Sequence, residues 1–165
     1  TTEIYTLSLH DALPISFFSA DSKQIVWRAS RPKGKDADTY FDLLKKGFVE
    51  PKDLNIFVAD INGKNVKQVT NLPGANWAPF FHPDGKKILF SSNHHSMNKG
   101  GRIFDIFMIN TDGTGLKQIT NSGNFSAFPM FSFDGKKIAF SSNRRIDRTE
   151  SRDTNVFVAD WVENP

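Results

Sequence analysis

Short continuous apolar runs recur along the chain, among them Ile88-Leu89-Phe90, Ile106-Phe107-Met108-Ile109 and Val156-Phe157-Val158. They are rich in β-branched and aromatic residues and show no helical spacing, so they predict strands. Because successive residues are apolar, both faces of each strand must be covered. Polar punctuation separates the runs. Pro83-Asp84-Gly85 and Phe133-Asp134-Gly135 lie between the first two strands of a unit, and Asn62-Gly63 and Asp112-Gly113 between the last two. Such dipeptides supply the positive φ angles of tight hairpins. The pattern predicts a four-stranded antiparallel meander, with strands A, B, C and D in order.

The unit repeats. Of the fifteen positions from Pro79 to Asn93, eleven are identical in Pro129 to Asn143. A weaker copy, Phe17 to Ser30, aligns with Phe80 to Asn93 without a gap, at an offset of sixty-three residues instead of fifty. The C strands repeat as Leu54-Asn-Ile-Phe-Val-Ala-Asp60, Phe104-Asp-Ile-Phe-Met-Ile-Asn110 and Thr154-Asn-Val-Phe-Val-Ala-Asp160, and the D segments as Val66-Lys-Gln-Val-Thr-Asn71 and Leu116-Lys-Gln-Ile-Thr-Asn121. Meanders buried on both faces and recurring at about fifty residues stack as blades of a β-propeller. A sandwich, with one face of each sheet in water, would alternate more cleanly.

The pattern of Pro and Phe, then Asp-Gly-Lys-Lys-Ile, then Phe-Ser-Ser-Asn, followed by an Ile-Phe strand and a Thr-Asn exit, resembles the WD40-like propeller repeat of the TolB family across residues 17–161. The resemblance implies an all-β fold of about three blades: 17–71 with an insert at 31–53, 76–121, and 124–161 lacking its strand D. It also implies an exported, periplasmic setting. Blades of this family occur in TolB-like binding proteins, in the propellers of prolyl-oligopeptidase-like serine peptidases, and in a metal-assisted pectic lyase. Two to three blades do not close a ring of four to eight, so the chain is expected to be the C-terminal fragment of a longer propeller. Residues 1–16 match no part of the repeat; Ser8 to Ser16 resembles the translation of a sequencing-library adaptor, and a non-native leader is expected there, with a native N-terminal arm as the other reading.

The thirteen extra residues of the first unit lie between strands B and C. There Asp36 or Asp38 can cap a helix, Tyr40, Leu43 and Leu44 share a face, Lys45 and Lys46 suit its C-terminal end and Gly47 can stop it. A short amphipathic helix near 38–47 is predicted, which must pack on something to persist. The B–C connection is the long one in every unit. In a meander, the B–C and D–A connections emerge at one end, so the length variation gathers on one propeller face, where function usually sits.

Sixteen phenylalanines among 165 residues suit blades packed face to face. No apolar run reaches the roughly 20 residues of a membrane span. The net charge of +3 is modest, and Lys86, Lys87, Lys136 and Lys137 sit beside the A–B hairpins without forming a stripe. Nucleic-acid binding is therefore not expected. The chain lacks cysteine, a Gly-x-Ser-x-Gly elbow, a Walker loop and a His-Glu-x-x-His helix, and no catalytic residue is assigned.

The candidate binding residues lie on the loop face: Asn93, His94, His95, Arg102, Asn143, Arg144 and Arg145, with Trp77 and Phe125 from the D–A connections. Repeated Asn93 and Asn143 also have a structural reading, as partners of backbone groups where strand B opens into its loop. Adjacent histidines in a strand-like segment point opposite ways, so no shared metal and no cofactor is expected. His82, near the opposite face, receives no role. The leading reading is a non-catalytic binding module for a protein or peptide partner. The alternatives are the gating propeller of a serine peptidase whose catalytic domain lies elsewhere, and a lyase with His94 or His95 as a metal ligand. Exposed blade faces and edges also predict self-association.

Overall fold

A computed structural model describes residues 15–48, 53–144 and 153–162. Its strands form three antiparallel sheets. The first contains β1 (Ser16–Phe18), β2 (Gln24–Ala29), β3 (Asn55–Asp60) and β4 (Lys67–Gln68), with helix α1 (Lys35–Lys45) between β2 and β3. The second contains β5 (Asn76–Phe81), β6 (Lys87–Ser92), β7 (Asp105–Asn110) and β8 (Lys117–Gln118). The third contains β9 (Ser126–Phe131), β10 (Lys137–Ser142) and β11 (Asn155–Asp160). Each sheet runs in sequence order from strand to neighbour, the up-and-down meander of a propeller blade. The all-β, propeller-type fold expected from the repeat is the one observed.

The continuous apolar runs bury both faces. In β6, Ile88, Leu89 and Phe90 are all fully buried. Ile88 and Phe90 join Phe81, Phe107 and Ile109 against Val26, Ile56, Val58 and Val69 of the first blade. Leu89 points the other way and joins Ile106, Phe80 and Met108 against Phe131, Ile138, Phe140 and Phe157 of the third. Alternate side chains of one strand thus belong to different interfaces, which is why the sequence lacks a polar face. His82 is a wedge in the second interface, its ring centroid 4.6 Å from that of Phe131 in an edge-to-face arrangement. Backbone contacts tie successive blades as well. Asn76 N–H donates to Leu54 O (3.0 Å), and Ser126 N–H to Phe104 O (2.8 Å).

Strand A carries a bulge at the same place in two blades. The register slips between Trp77 and Phe80 and opposite Ala139 and Ser141, where Ala78 and Phe128 take φ of 49° and 56°. The following Pro79 and Pro129 have no N–H for the ladder, and a bulge accommodates that loss. Strand D, by contrast, is reduced to two paired residues in β4 and β8.

The insert forms a helix shifted from the predicted bounds. It begins at Lys35, three residues early, and its N-cap is Gly34, with φ of 56° and no side-chain cap. Asp36 and Asp38 therefore lie in the first turn, where the helix dipole favours them without a capping bond. Tyr40 is its buried residue. The C-terminal end closes through Lys46 N–H to Leu43 O (3.0 Å) and Gly47 N–H to Leu44 O (2.9 Å), with Gly47 left-handed as expected.

Candidate functional site

The loop end of each blade rests on a repeated polar lock. In the first blade, Thr70 Oγ1 accepts from Ile56 N–H (2.9 Å) and donates to Asn55 Oδ1 (2.9 Å), which also accepts from Leu72 N–H (3.3 Å). In the second, Thr120 Oγ1 accepts from Ile106 N–H (2.9 Å) and donates to Asp105 Oδ1 (2.7 Å), which Ser122 N–H approaches at 3.4 Å. The lock fastens the end of strand D to the start of strand C. It explains why strand D needs so few ladder bonds.

Asn93 and Asn143 act on the neighbouring D–A connection. Asn93 Oδ1 accepts from Ala75 N–H (2.8 Å), and its Nδ2 donates to Gly101 O (2.8 Å). Asn143 Oδ1 accepts from Phe125 N–H (2.9 Å). Asn93 thus spans two loops, and both side chains satisfy backbone groups that leave the sheet.

The next residue in each unit is Arg31, His94 or Arg144. Each packs on the phenylalanine of its own strand C. The Arg31 guanidinium lies 5.4 Å from the Phe57 centroid, the His94 ring 4.5 Å from Phe107, and the Arg144 guanidinium 5.4 Å from Phe157 and 4.8 Å from Phe140. Arg144 also donates from Nε to Ser142 Oγ (3.2 Å) and from Nη2 to Ser126 Oγ (3.3 Å). Cation–π contact and these bonds hold the guanidinium on the blade. Arg145 lies outside the described residues. Arg102 is exposed at the end of the second B–C loop.

The two histidines depart from the sequence expectation. His94–Lys99 is a 3₁₀ turn rather than an extended segment, so successive side chains are not on opposite sides. Both rings rest against Phe107, and their centroids are 5.7 Å apart. Burial, followed by the neighbouring His95, holds His94 below the ordinary histidine pKa. His95 Nε2 lies 3.1 Å from Asp105 Oδ2, the carboxylate of the second lock, which is itself buried.

Trp77 and Phe125 are brought together at 6.4 Å, within an aromatic cluster that adds Phe104 and Phe128. On the first blade, α1 and the strand ends enclose a cleft of about 680 Å³. Arg31, Tyr40, Asn55, Gln68 and Asn71 are among its lining residues. Among the described residues, no group of three or more histidine, cysteine or acidic side chains is placed to hold a metal. Nor is any helix among them long and apolar enough to cross a membrane.

A family profile described as the TolB beta propeller domain matches residues 47–148. The chain belongs to the TolB β-propeller family. Among solved structures, a protein assigned as TolB from Agrobacterium tumefaciens superposes with a TM-score of 0.65 at 23% identity, over 92% of this chain and 47% of that one. TolB from Acinetobacter baumannii gives 0.61 at 24% identity, over 89% of this chain and 29% of that one. Oligogalacturonate lyase from Vibrio parahaemolyticus gives 0.52 at 12% identity, over 88% and 37%. At these identities the likeness concerns the fold. The chain spans less than half the length of these TolB structures. Comparison with curated proteins gave no match. Within this TolB-family chain, sequence reading passed over Arg31, Asp105 and the phenylalanine platforms. The ungapped alignment of Ser30 with Asn93 already places Arg31 opposite His94 and Arg144, and Asn55, Asp105 and Asn155 occupy one repeat position.

Proposed function

We propose that the chain is a non-catalytic binding propeller of an exported, periplasmic protein, and that its loop face receives a protein or peptide partner. The observation that carries this reading is the contrast between the two ends of the blades. The A–B hairpins repeat one another closely in sequence, as Asp84-Gly-Lys-Lys-Ile88 and Asp134-Gly-Lys-Lys-Ile138. At the loop end, one blade carries α1 and its cleft, and another a 3₁₀ turn with His94 and His95. A scaffold held constant beneath a varied rim is the arrangement of a recognition surface. Aromatic and arginine side chains, here Trp77, Phe125 and Arg144, are the usual anchors of such surfaces. Binding proceeds by shape and charge complementarity.

The reading is tested by affinity isolation from a bacterial envelope extract, comparing two variants. Arg144→Glu combined with Arg102→Glu alters the loop face; Lys86→Glu combined with Lys136→Glu alters the opposite end. A partner retained by the wild type and the hairpin variant, but lost by the loop-face variant, is the expected result. A partner lost only by the hairpin variant contradicts the reading.

A further inference from the structure

The hydrogen-bond network of the second blade fixes which nitrogen of each adjacent histidine carries its proton. Asn76 Nδ2 donates to Leu54 O (2.9 Å) and Leu72 O (3.1 Å), so its Oδ1 faces Ser92 and accepts from Ser92 Oγ (2.6 Å). With its one proton spent there, Ser92 Oγ accepts from His94 N–H (3.1 Å) and from His94 Nδ1 (2.8 Å). His94 is therefore protonated at Nδ1, and its Nε2 keeps a lone pair.

His95 is fixed from the other side. Asp105 accepts from Thr120 Oγ1, Ser122 N–H and Gln118 Nε2. His95 Nε2 lies 3.1 Å from its Oδ2, so in the neutral imidazole that donates there the lone pair is on His95 Nδ1. A carboxylate behind one imidazole nitrogen is the arrangement that orients a histidine for a metal at its other nitrogen. The repeat isolates this feature. At the position of Asp105 the flanking units have Asn55 and Asn155, and at the position of His95 the first unit has Pro32. Carboxylate and histidine occur together in one blade.

Ring spacing is compatible with a shared ion. With a metal–nitrogen distance of about 2.1 Å, a ring centroid lies about 3.2 Å from the ion, so two rings sharing it stand at most about 6.5 Å apart. The centroids of His94 and His95 are 5.7 Å apart. Phe107 forms an apolar wall beneath both rings. We propose that His94 Nε2 and His95 Nδ1 form a two-imidazole site for a late first-row divalent cation such as Zn²⁺, with water in the remaining positions. Asp105 and Ser92 are its positioning residues. A nitrogen-only donor pair favours Zn²⁺ over the oxygen-preferring Mn²⁺.

The test is calorimetric titration of the full chain with Zn²⁺ and, separately, Mn²⁺. One Zn²⁺ per chain, bound more tightly than Mn²⁺, is expected. His94→Gln and His95→Gln should each weaken Zn²⁺ binding at least about 10-fold, and Asp105→Asn about 10- to 100-fold through its support of His95. Asp105→Asn restores the residue of the flanking units, and a thermal melt verifies that it folds. No Zn²⁺ binding in the wild type, unchanged affinity in both histidine variants, or tighter binding of Mn²⁺ would overturn the proposal.

Discussion

At the scale of the residue, the loop end is governed by hydrogen bonds that the repeat uses twice with different chemistry. Thr70→Val and Thr120→Val each remove a hydroxyl that serves a backbone N–H on one side and a side-chain oxygen on the other. Each should cost about 1–3 kcal/mol. The second should cost more, because Asp105 is a buried carboxylate where Asn55 is a neutral amide. Urea unfolding of the pair measures the difference, and a smaller loss for Thr120→Val would contradict it. His94 adds a pH dependence. Its pKa in the folded chain lies below the ordinary 6.5, so the unfolded chain binds the proton more readily. The stability associated with a neutral His94 is complete above about pH 6.5 and is lost as pH falls through the depressed folded value. The stability of His94→Gln should therefore decline less between pH 7 and pH 5 than that of the wild type. Equal declines would show that other groups carry the acid sensitivity. These interactions were only partly legible in the sequence. The repetition of Asn93 and Asn143 pointed to bonds with backbone groups, whereas the Asp105–His95 pair joins residues ten apart whose approach depends on the turn between them.

At the scale of the element, strands and hairpins were legible because their determinants are local. Apolar runs set the strands, and Asp-Gly or Asn-Gly set the turns. Gly113 shows how strictly: its φ is 89°, and an added Cβ would lie 3.0 Å from the Val69 carbonyl oxygen. Gly113→Ala should lower stability by about 1–2 kcal/mol from the left-handed conformation alone, measurable as a shift in the unfolding midpoint. Elements with weak local signals were read less well. The 3₁₀ turn His94–Lys99 has one buried residue, Ser96, whose Oγ lies 3.0 Å from both Asn93 O and Ile103 O and shares its one proton between them. No apolar periodicity announces it, and an extended reading put His94 and His95 on opposite sides. The helix starts earlier than predicted because aspartate is a common cap, while the cap observed is a glycine with positive φ. Packing between elements sets the larger energies. Leu89→Ala empties a fully buried site between two blades and should cost about 2–5 kcal/mol. Leu116→Ala, at a residue 41% exposed, should stay within about 0.5 kcal/mol of wild type.

At the scale of the whole molecule, the blades cover one another in turn. Ile106 and Met108 of the second blade are packed by the third, but their counterparts Val156 and Val158 are 75% and 66% exposed. Phe128 and Met130 are exposed on strand A of the same blade. This face has the apolar character of an interface. The 165-residue chain is expected to self-associate with rising concentration, and Met130→Glu with Val158→Lys should shift it toward monomer in sedimentation velocity. Association unchanged by the pair would place the contact elsewhere. The fold was legible at this scale because an internal repeat reports it directly. The binding rim was less so, because the features that vary from blade to blade are those a repeat does not specify. The most direct test of the account is hydrogen exchange on the chain with and without the captured partner. Slowed exchange over α1, the His94–Lys99 turn and the Leu72–Ala75 and Ser122–Phe125 connections is the expected result. Slowed exchange confined to the Pro83–Lys87 and Phe133–Lys137 hairpins would contradict the assignment of the loop face as the recognition surface.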